Sequence, residues 1–228
     1  MKLPVKSYYL LAGLLAVGSI FMLACQHENE LLVSNGTKIE KGTQKVILSD
    51  GKTSFDKTHS NVMWETPYMG GLSLLTGRFD TLGFNSFNFD ESNPANINFE
   101  AFVWINRVNT SEPGRDKGCL QTTFGVNTSM TTQTENVAVI KSKSVELSTT
   151  DKGYIVKCDL TFHGVTKEIT GKLTYDGVIT SGTGSTLKYN YGFSFNFQIL
   201  AQTDFAIVST SIADKVDIRC NAIFRAVQ

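Results

Sequence analysis

Apolar and polar residues alternate strictly in one long segment near the end of the chain. From Tyr189 to Ile199, every odd position is aromatic or aliphatic and every even position is Asn, Gly, Ser or Gln. A period of two places one kind of side chain on each face of an extended strand. The segment is therefore predicted to be a long amphipathic β-strand.

Shorter runs of the same alternation occur elsewhere and are separated by clusters of Gly, Asn and Asp. They predict strands around Val62–Thr66, Phe99–Ile105, Tyr154–His163, Ile169–Tyr175 and Val216–Phe224. About eight strands at hairpin spacing favour an all-β protein, either an antiparallel barrel or a sandwich. The segment Ser111–Phe124, with Pro113 and several charges, is the best candidate for a short helix.

Long strands with one apolar face need something to cover that face. Closing the sheet on itself covers it and removes the exposed edges, and an eight-stranded barrel is wide enough to hold one small ligand. A long barrel leaves a tube that an elongated apolar guest would fill. The predicted ligand-binding lining is Trp64, Tyr154, Phe162, Tyr189, Tyr191, Phe193, Phe195 and Phe197. The alternative is that these aromatic side chains form the packed core of a sandwich.

Charge and histidine content narrow the range of partners. The chain has 21 Lys+Arg and 21 Asp+Glu among 228 residues. This neutral balance gives no reason to expect a nucleic-acid partner, because phosphate binding needs a basic surface. His27, His59 and His163 are too far apart in sequence to suggest a metal site. No metal and no cofactor are predicted, apart from a bound lipid.

The beginning of the chain has the features of an export signal. Lys2 and Lys6 precede an uncharged apolar run that extends from Tyr8 to Ala24. This order is typical of a signal peptide, although the run is also just long enough for an anchor helix. Met22-Leu23-Ala24-Cys25 resembles a bacterial lipobox, which implies acylation of Cys25 and cleavage after Ala24.

Three segments follow from this interpretation. Residues 1–24 are predicted to be a lipoprotein signal peptide, residues 25–44 a flexible tether, and residues 45–228 the lipid-binding barrel. The predicted location is the cell envelope, with the protein held by its acyl chains on a membrane that faces the periplasm or the cell surface.

The remaining cysteines do not indicate a disulfide scaffold. Cys119, Cys158 and Cys220 are three, so they allow at most one disulfide bond between them. Cys158 and Cys220 fall on apolar faces of predicted strands, which favours small buried thiols. The sequence leaves a bond between these two open.

A set of ordered motifs resembles the YceI-like family. The motifs are Asp56-Lys57-Thr58-His59-Ser60-Asn61-Val62, Leu75-Thr76-Gly77-Arg78-Phe79, Arg115-Asp116 with Leu120, Phe124-Gly125-Val126, Leu160-Thr161-Phe162-His163-Gly164-Val165-Thr166-Lys167, Asp204-Phe205 and Val216-Asp217-Ile218. Together they cover roughly residues 55–228. The resemblance implies an extended, lipocalin-like eight-stranded antiparallel barrel with one or two short helices.

The same resemblance implies a non-enzymatic protein that sequesters or transports a long isoprenoid lipid, of polyprenyl or quinone type, in its lumen. The resemblance does not assign a catalytic residue to this chain. Two other functions share parts of the pattern. An outer-membrane pore would place the aromatic side chains toward lipid, and a hydrolase or isomerase would use His59, Asp159 or His163. A homodimer also remains open.

Overall fold

The described part of the chain folds into a single curled antiparallel sheet. The structure, a computed structural model, describes residues 39–40, 43–119, 123–124, 137–150, 153–210 and 212–227. The strands are β1 (Ile39–Glu40), β2 (Lys45–Ile47), β3 (Thr53–Phe55), β4 (Asn61–Tyr68), β5 (Ser73–Phe79), β6 (Leu82–Asp90), β7 (Asn98–Trp104), β8 (Val108–Asn109), β9 (Val137–Leu147), β10 (Tyr154–Phe162), β11 (Val165–Ser181), β12 (Lys188–Leu200) and β13 (Lys215–Val227). Two short helices are α1 (Pro113–Gly118) and α2 (Ala201–Phe205).

Two bent strands close the sheet into a barrel. The hydrogen-bonded order is β2-β6-β7-β9-β10-β11-β12-β13-β4-β5-β8. β5 continues into β6 across Asp80 and Thr81, and β7 continues into β8 across Ile105–Arg107. At this bend the Asp80 N–H donates to the Arg107 carbonyl at 2.8 Å, and the Trp104 N–H donates to the Thr81 carbonyl at 2.9 Å.

Counting each bent pair as one strand gives a ring of eight: β4, β5–β6, β7–β8, β9, β10, β11, β12 and β13. The predicted extended eight-stranded antiparallel barrel is therefore confirmed. The longest strand, β11, has 17 residues, and β12 and β13 have 13 each. Thirteen extended residues measure roughly 43 Å, well above a common strand length.

The alternating segments became the strands that the sequence predicted. β12 buries Tyr191, Phe193 and Phe195 and turns Asn196 and Gln198 outward. The predicted helix is present as α1, which begins where Glu112 accepts hydrogen bonds from the N–H groups of Gly114 and Arg115. Such a side-chain cap satisfies donors that the first helical turn leaves free.

The barrel has two distinct ends. The helix end carries α2, the β4–β5 hairpin around Met69–Gly71 and the β10–β11 hairpin around His163. The turn end carries the β6–β7 turn at Pro94–Asn96 and the β11–β12 turn at Gly184–Thr186.

Helix α2 covers part of the helix end. Phe205 and Ile207 are buried there, and the Phe205 carbonyl lies 3.1 Å from the His163 Nδ1 atom. The Asp214 carboxylate accepts hydrogen bonds from the backbone N–H groups of Gln202 and Thr203 and from the Thr203 hydroxyl. These contacts tie the helix to the start of β13.

An ion pair attaches the short strand β2 to the turn end of β6. Lys45 Nζ lies 3.0 Å from a carboxylate oxygen of Asp90, whose side chain is almost fully buried. The Ser92 hydroxyl donates to the same carboxylate at 2.5 Å, and Asn96 Nδ2 lies 3.4 Å from it. The hydrogen bond from Ser92 and the contact with Lys45 hold the pKa of Asp90 well below its usual range.

The three predicted segments can be followed only in part. The signal peptide, residues 1–24, and the lipidation site Cys25 lie outside the described residues. The pairing of Ile39 and Glu40 with Ile179 and Val178 of β11 falls within the segment predicted as a tether. The boundaries of the three segments stay predictions.

None of the helices in the described residues combines the length and the apolar composition that a membrane-spanning helix requires.

The three cysteines in the described residues, Cys119, Cys158 and Cys220, are free thiols. Strands β11 and β12 separate the strands that carry Cys158 and Cys220. The disulfide bond that the sequence left open is therefore not formed.

Candidate apolar ligand-binding cavity

An apolar cavity of about 140 Å³ lies inside the barrel, toward the helix end. Its wall comes from both bent strands and from β4 and β9–β13. The lining residues are Asn61, Val62, Phe79, Leu82, Gly83, Phe84, Phe87, Phe99, Ala101, Phe102, Val103, Ala138, Ile140, Leu160, Phe162, Leu173, Phe193, Phe195, Phe197, Ile199, Ile218, Cys220, Asn221 and Ala222. Asn61 and Asn221 are the polar exceptions in this wall.

Stacked aromatic rings fill the other half of the barrel. Phe87 and Phe224 are parallel with ring centroids 4.1 Å apart, and Phe193 contacts both of them edge-on. Phe89 continues the cluster toward Tyr175, with ring centroids 5.1 Å apart. The turn end is therefore a packed core, and the free space begins above it.

Glycines on neighbouring strands make room for three large rings. A Cβ atom added to Gly171 would clash with the Phe195 ring, and one added to Gly77 would lie 2.5 Å from the Trp64 ring. A Cβ atom added to Gly83 would lie 2.7 Å from the Phe102 ring. Each ring lies directly over the backbone of its glycine, so a larger residue at any of the three positions would require that ring to move.

The eight predicted lining residues divide into two groups. Phe162, Phe193, Phe195 and Phe197 border the cavity. Trp64, Tyr154, Tyr189 and Tyr191 are not among its lining residues; Trp64, Tyr154 and Tyr191 are buried, and Tyr189 stacks on Tyr191 with ring centroids 6.1 Å apart. A role in ligand binding stays a prediction for all eight.

Much of the wall comes from segments that the alternation did not single out. Phe79, Leu82 and Phe84 come from the β5–β6 bend, and Ala138 and Ile140 come from β9. The register of β6 against β7 shifts between Phe84 and Ser86. This bulge puts Phe84 and Phe87 three positions apart on one face, which hides the strand from a period-of-two test.

One cysteine thiol lies in the cavity wall, and its surroundings make it unreactive. Cys220 lies in the wall, and burial raises its pKa to about 12. Burial likewise raises the pKa of Cys158 to about 12. Since the thiolate is the nucleophilic form, both thiols are inert near neutral pH.

The residues proposed for a hydrolase have separate local partners. His59 Nδ1 lies 2.7 Å from the Asp56 carboxylate, which also binds Arg225 at 2.6 Å. Burial of Asp56 would raise its pKa, but the hydrogen bonds from His59 and from the Thr58 N–H, with the charge of Arg225, hold that pKa below its usual value.

Asp159 contacts Lys143 at 3.3 Å on the outer surface, and His163 contacts α2. Within the described ranges these residues do not contact one another. No group of three or more His, Cys, Asp or Glu side chains that could hold a metal ion occurs in the described part of the chain.

The fold and the site define a class of protein: a long antiparallel barrel with an apolar internal cavity and one filled end. The YceI-like domain matches residues 54–224, and the chain belongs to the YceI-like family. The chain is also 30% identical over 136 residues to a UPF0312 protein of Yersinia pestis and to one of Yersinia pseudotuberculosis. That match covers 58% of this chain and 65% of each relative, so it spans less than two thirds of their length.

Solved structures show the same fold. A polyisoprenoid binding domain from Saccharophagus degradans is 18% identical, with a TM-score of 0.50, over 78% of this chain and 99% of that one. A YCEI protein of Campylobacter jejuni is 24% identical, with a TM-score of 0.51, over 69% of this chain and 86% of that one. At these identities the likeness concerns the fold.

Proposed function

We propose that the protein is a non-catalytic carrier that binds the apolar tail of an isoprenoid lipid, of polyprenyl or quinone type, inside its barrel. The observation that carries this proposal is the cavity bordered by Phe193, Phe195 and Phe197. The domain from Saccharophagus degradans, described as polyisoprenoid binding, supports the choice of ligand class.

An empty cavity of this kind is costly. The apolar side chains that border the empty space of about 140 Å³ lack packing partners on that side, which lowers the stability of the fold. A dry apolar cavity of comparable size takes up benzene. Apolar guests are therefore favoured, and polar ones would leave their hydrogen-bonding groups unpaired.

A long tail needs more room than this cavity offers. Pockets for drug-sized ligands measure about 300–1,000 Å³, whereas this one measures about 140 Å³. We therefore expect some lining rings to move when a tail enters. Phe197 is the best candidate, because it is only partly buried and lies beside Phe195 with ring centroids 5.3 Å apart.

The direction of the aromatic side chains favours a carrier over a pore. A pore needs aromatic residues toward lipid and polar residues toward a water-filled lumen. In β12, Tyr191, Phe193 and Phe195 are buried, whereas Asn196 and Gln198 are exposed. The polar residues of this strand therefore face outward.

A charge placed in the cavity tests the proposal. Phe195→Arg puts a cation among apolar walls and should lower the lipid that copurifies with the protein by about tenfold. Asn196→Arg is the matched control, because it adds the same charge one position along on the outer face. Lipid is measured by solvent extraction and mass spectrometry of the purified full chain.

A second variant keeps the test valid if Phe195→Arg does not fold. Ala222→Leu adds an apolar group to the cavity wall without adding charge. It should raise the free energy of unfolding and lower the lipid content at the same time, since side chain and guest compete for one space. Lipid content equal to wild type in a folded Ala222→Leu protein would contradict the proposal.

We further propose that the protein is an acylated lipoprotein of the cell envelope, with Cys25 as its anchor. The proposal rests on the lipobox-like Met22–Cys25 sequence behind an apolar run. Cys25→Ser should abolish metabolic labelling with a radioactive fatty acid. Equal labelling of wild type and variant would reject this anchor.

A further inference from the structure

Four exposed large apolar side chains, among them the two most exposed in the described residues, occur on two neighbouring segments at the helix end. Leu72 and Val208 are 85% and 84% exposed, and Met69 and Leu74 are each 58% exposed. Met69, Leu72 and Leu74 belong to the β4–β5 hairpin, and Val208 lies in the segment between α2 and β13. These four residues are called the apolar tip.

Backbone contacts place the two segments side by side. Tyr68 pairs with Ile212 in an isolated antiparallel bridge, and the Ala213 N–H donates to the Pro67 carbonyl at 3.1 Å. The Thr66 hydroxyl donates to the Lys215 carbonyl at 2.9 Å. The two segments that carry the apolar tip are thus neighbours at the helix end, although they are distant in sequence.

Both segments lack charge, which is unusual for exposed hairpins and loops. No Asp, Glu, Lys or Arg occurs from Thr66 to Gly77 or from Phe205 to Ala213. A surface that contacts only water gains no stability from four exposed apolar side chains. The headgroup layer of a lipid bilayer, in contrast, accepts apolar side chains and excludes unpaired charges.

The charges that flank these segments are largely paired within the protein. Asp204 lies 3.7 Å from Lys167, and Asp214 is held by Gln202 and Thr203. Hydrogen bonds from the Thr203 hydroxyl and N–H hold the pKa of Asp214 below its usual value. Lys215 remains exposed and can extend toward headgroup phosphates.

The apolar tip lies at the same end as the cavity. The lining includes Leu160 and Phe162 near the end of β10 and Ile199 near the end of β12, all close to the helix end. Phe205 and Ile207 are buried under this end, and Ile207 directly precedes Val208 in the chain. The opposite end is filled by the aromatic stack.

We infer that the apolar tip is a membrane-docking surface, which inserts into the interfacial layer of a lipid bilayer and brings the cavity's end of the barrel to the lipid. The inference rests on the proposed function only in that the guest is taken from a membrane. The occupant is the bilayer surface, because both segments are free of charged residues, Lys215 beside them can reach headgroup phosphates, and the cavity lies at the same end of the barrel.

Depth-dependent quenching of tryptophan fluorescence tests the inference. Leu72→Trp is placed in the full chain and mixed with vesicles of brominated phosphatidylcholine, with the wild-type signal of Trp64 and Trp104 subtracted. The matched control is Leu147→Trp, because Leu147 is 61% exposed but lies at the turn end of β9. Insertion of the tip predicts strong quenching at position 72 and little at position 147.

Charge in the tip provides the second measurement. Leu72→Trp combined with Val208→Glu should lower the quenching of the introduced tryptophan about tenfold, because a carboxylate resists entry into the interface. The equivalent charge at the far end, Ile155→Glu, should leave it unchanged, since Ile155 is exposed on β10 near the turn end.

The outcomes separate this inference from the proposed function. Equal quenching at positions 72 and 147, or quenching that Val208→Glu does not change, overturns the docking surface whatever the lipid content. Copurified lipid is measured in the same preparations. Quenching confined to position 72 in a protein without copurified lipid would support the docking surface and reject the carrier.

Discussion

Trp64 lies inside the barrel with an indole N–H that donates to no acceptor in the described residues. Its side chain is buried on β4, and its ring lies over Gly77 of β5. A buried donor without a partner costs about 1–3 kcal/mol. The ring therefore contributes packing, while its polar atom detracts from stability.

This arrangement predicts an unequal pair of substitutions. Trp64→Phe loses no hydrogen bond and should lower the free energy of unfolding by only about 1 kcal/mol, whereas Trp64→Ala should lower it by about 3–5 kcal/mol. Urea denaturation followed by circular dichroism measures both. A loss for Trp64→Phe as large as that for Trp64→Ala would show that the N–H group has a partner.

The predicted site residues show what alternation can reveal about a single position. It correctly placed Phe193, Phe195 and Phe197 on the inner face. It could not separate them from Tyr189 and Tyr191, which share that face but lie nearer the turn end. A period of two predicts which face of a strand a side chain lies on. The position of the cavity along the barrel axis depends instead on which aromatic rings from different strands pack against one another.

At the scale of elements, strands with an unbroken pattern were predictable and interrupted strands were not. β10, β12 and β13 keep one apolar face over their whole length. β6 contains a bulge after Phe84, and β9 has four apolar residues followed by a largely exposed polar run. The motifs of the YceI-like family supplied the order that local periodicity lacked.

The attachment of β2 to β6 predicts a pH dependence of stability. Asp90 has a folded-state pKa below its unfolded value near 3.9. Its ionised form therefore stabilises the fold above about pH 4, and this contribution is lost as the pH falls through the lower folded-state value.

Asp90→Asn should remove that contribution. The variant should be less stable than wild type at pH 7, and the difference between the two proteins should shrink as the pH falls below about 4. Urea midpoints measured at pH 7 and pH 3 check this. Asp80→Asn is the control, since Asp80 is partly exposed and pairs with Arg78 on the surface. A difference that grows toward pH 3 would contradict the assignment.

At the scale of the whole molecule, stability should depend on what the cavity contains. A guest that binds only the folded state adds RT ln(1 + [L]/Kd) to the free energy of unfolding. Removal of copurified lipid by detergent exchange should therefore lower the melting temperature by several degrees for a domain of this size.

Ala222→Leu supplies the comparison for that measurement. Because its added methyl groups occupy part of the cavity, its melting temperature should change less on lipid removal than that of wild type. Differential scanning calorimetry of both proteins, before and after extraction, gives the two shifts. Equal shifts would mean that the stabilising lipid binds somewhere else.

The stacked rings of Phe87 and Phe224 close the interior of the barrel toward the turn end. An elongated ligand in a barrel that is closed at one end can leave only through the end by which it entered. The part of the ligand that entered last therefore leaves first. In the proposed carrier, the polar group at the end of the guest would therefore stay at the entrance and leave the barrel before the hydrocarbon behind it. In such a carrier, a barrel that is closed at one end would fix the orientation of the bound lipid, even where lining rings such as Phe197 move to admit it.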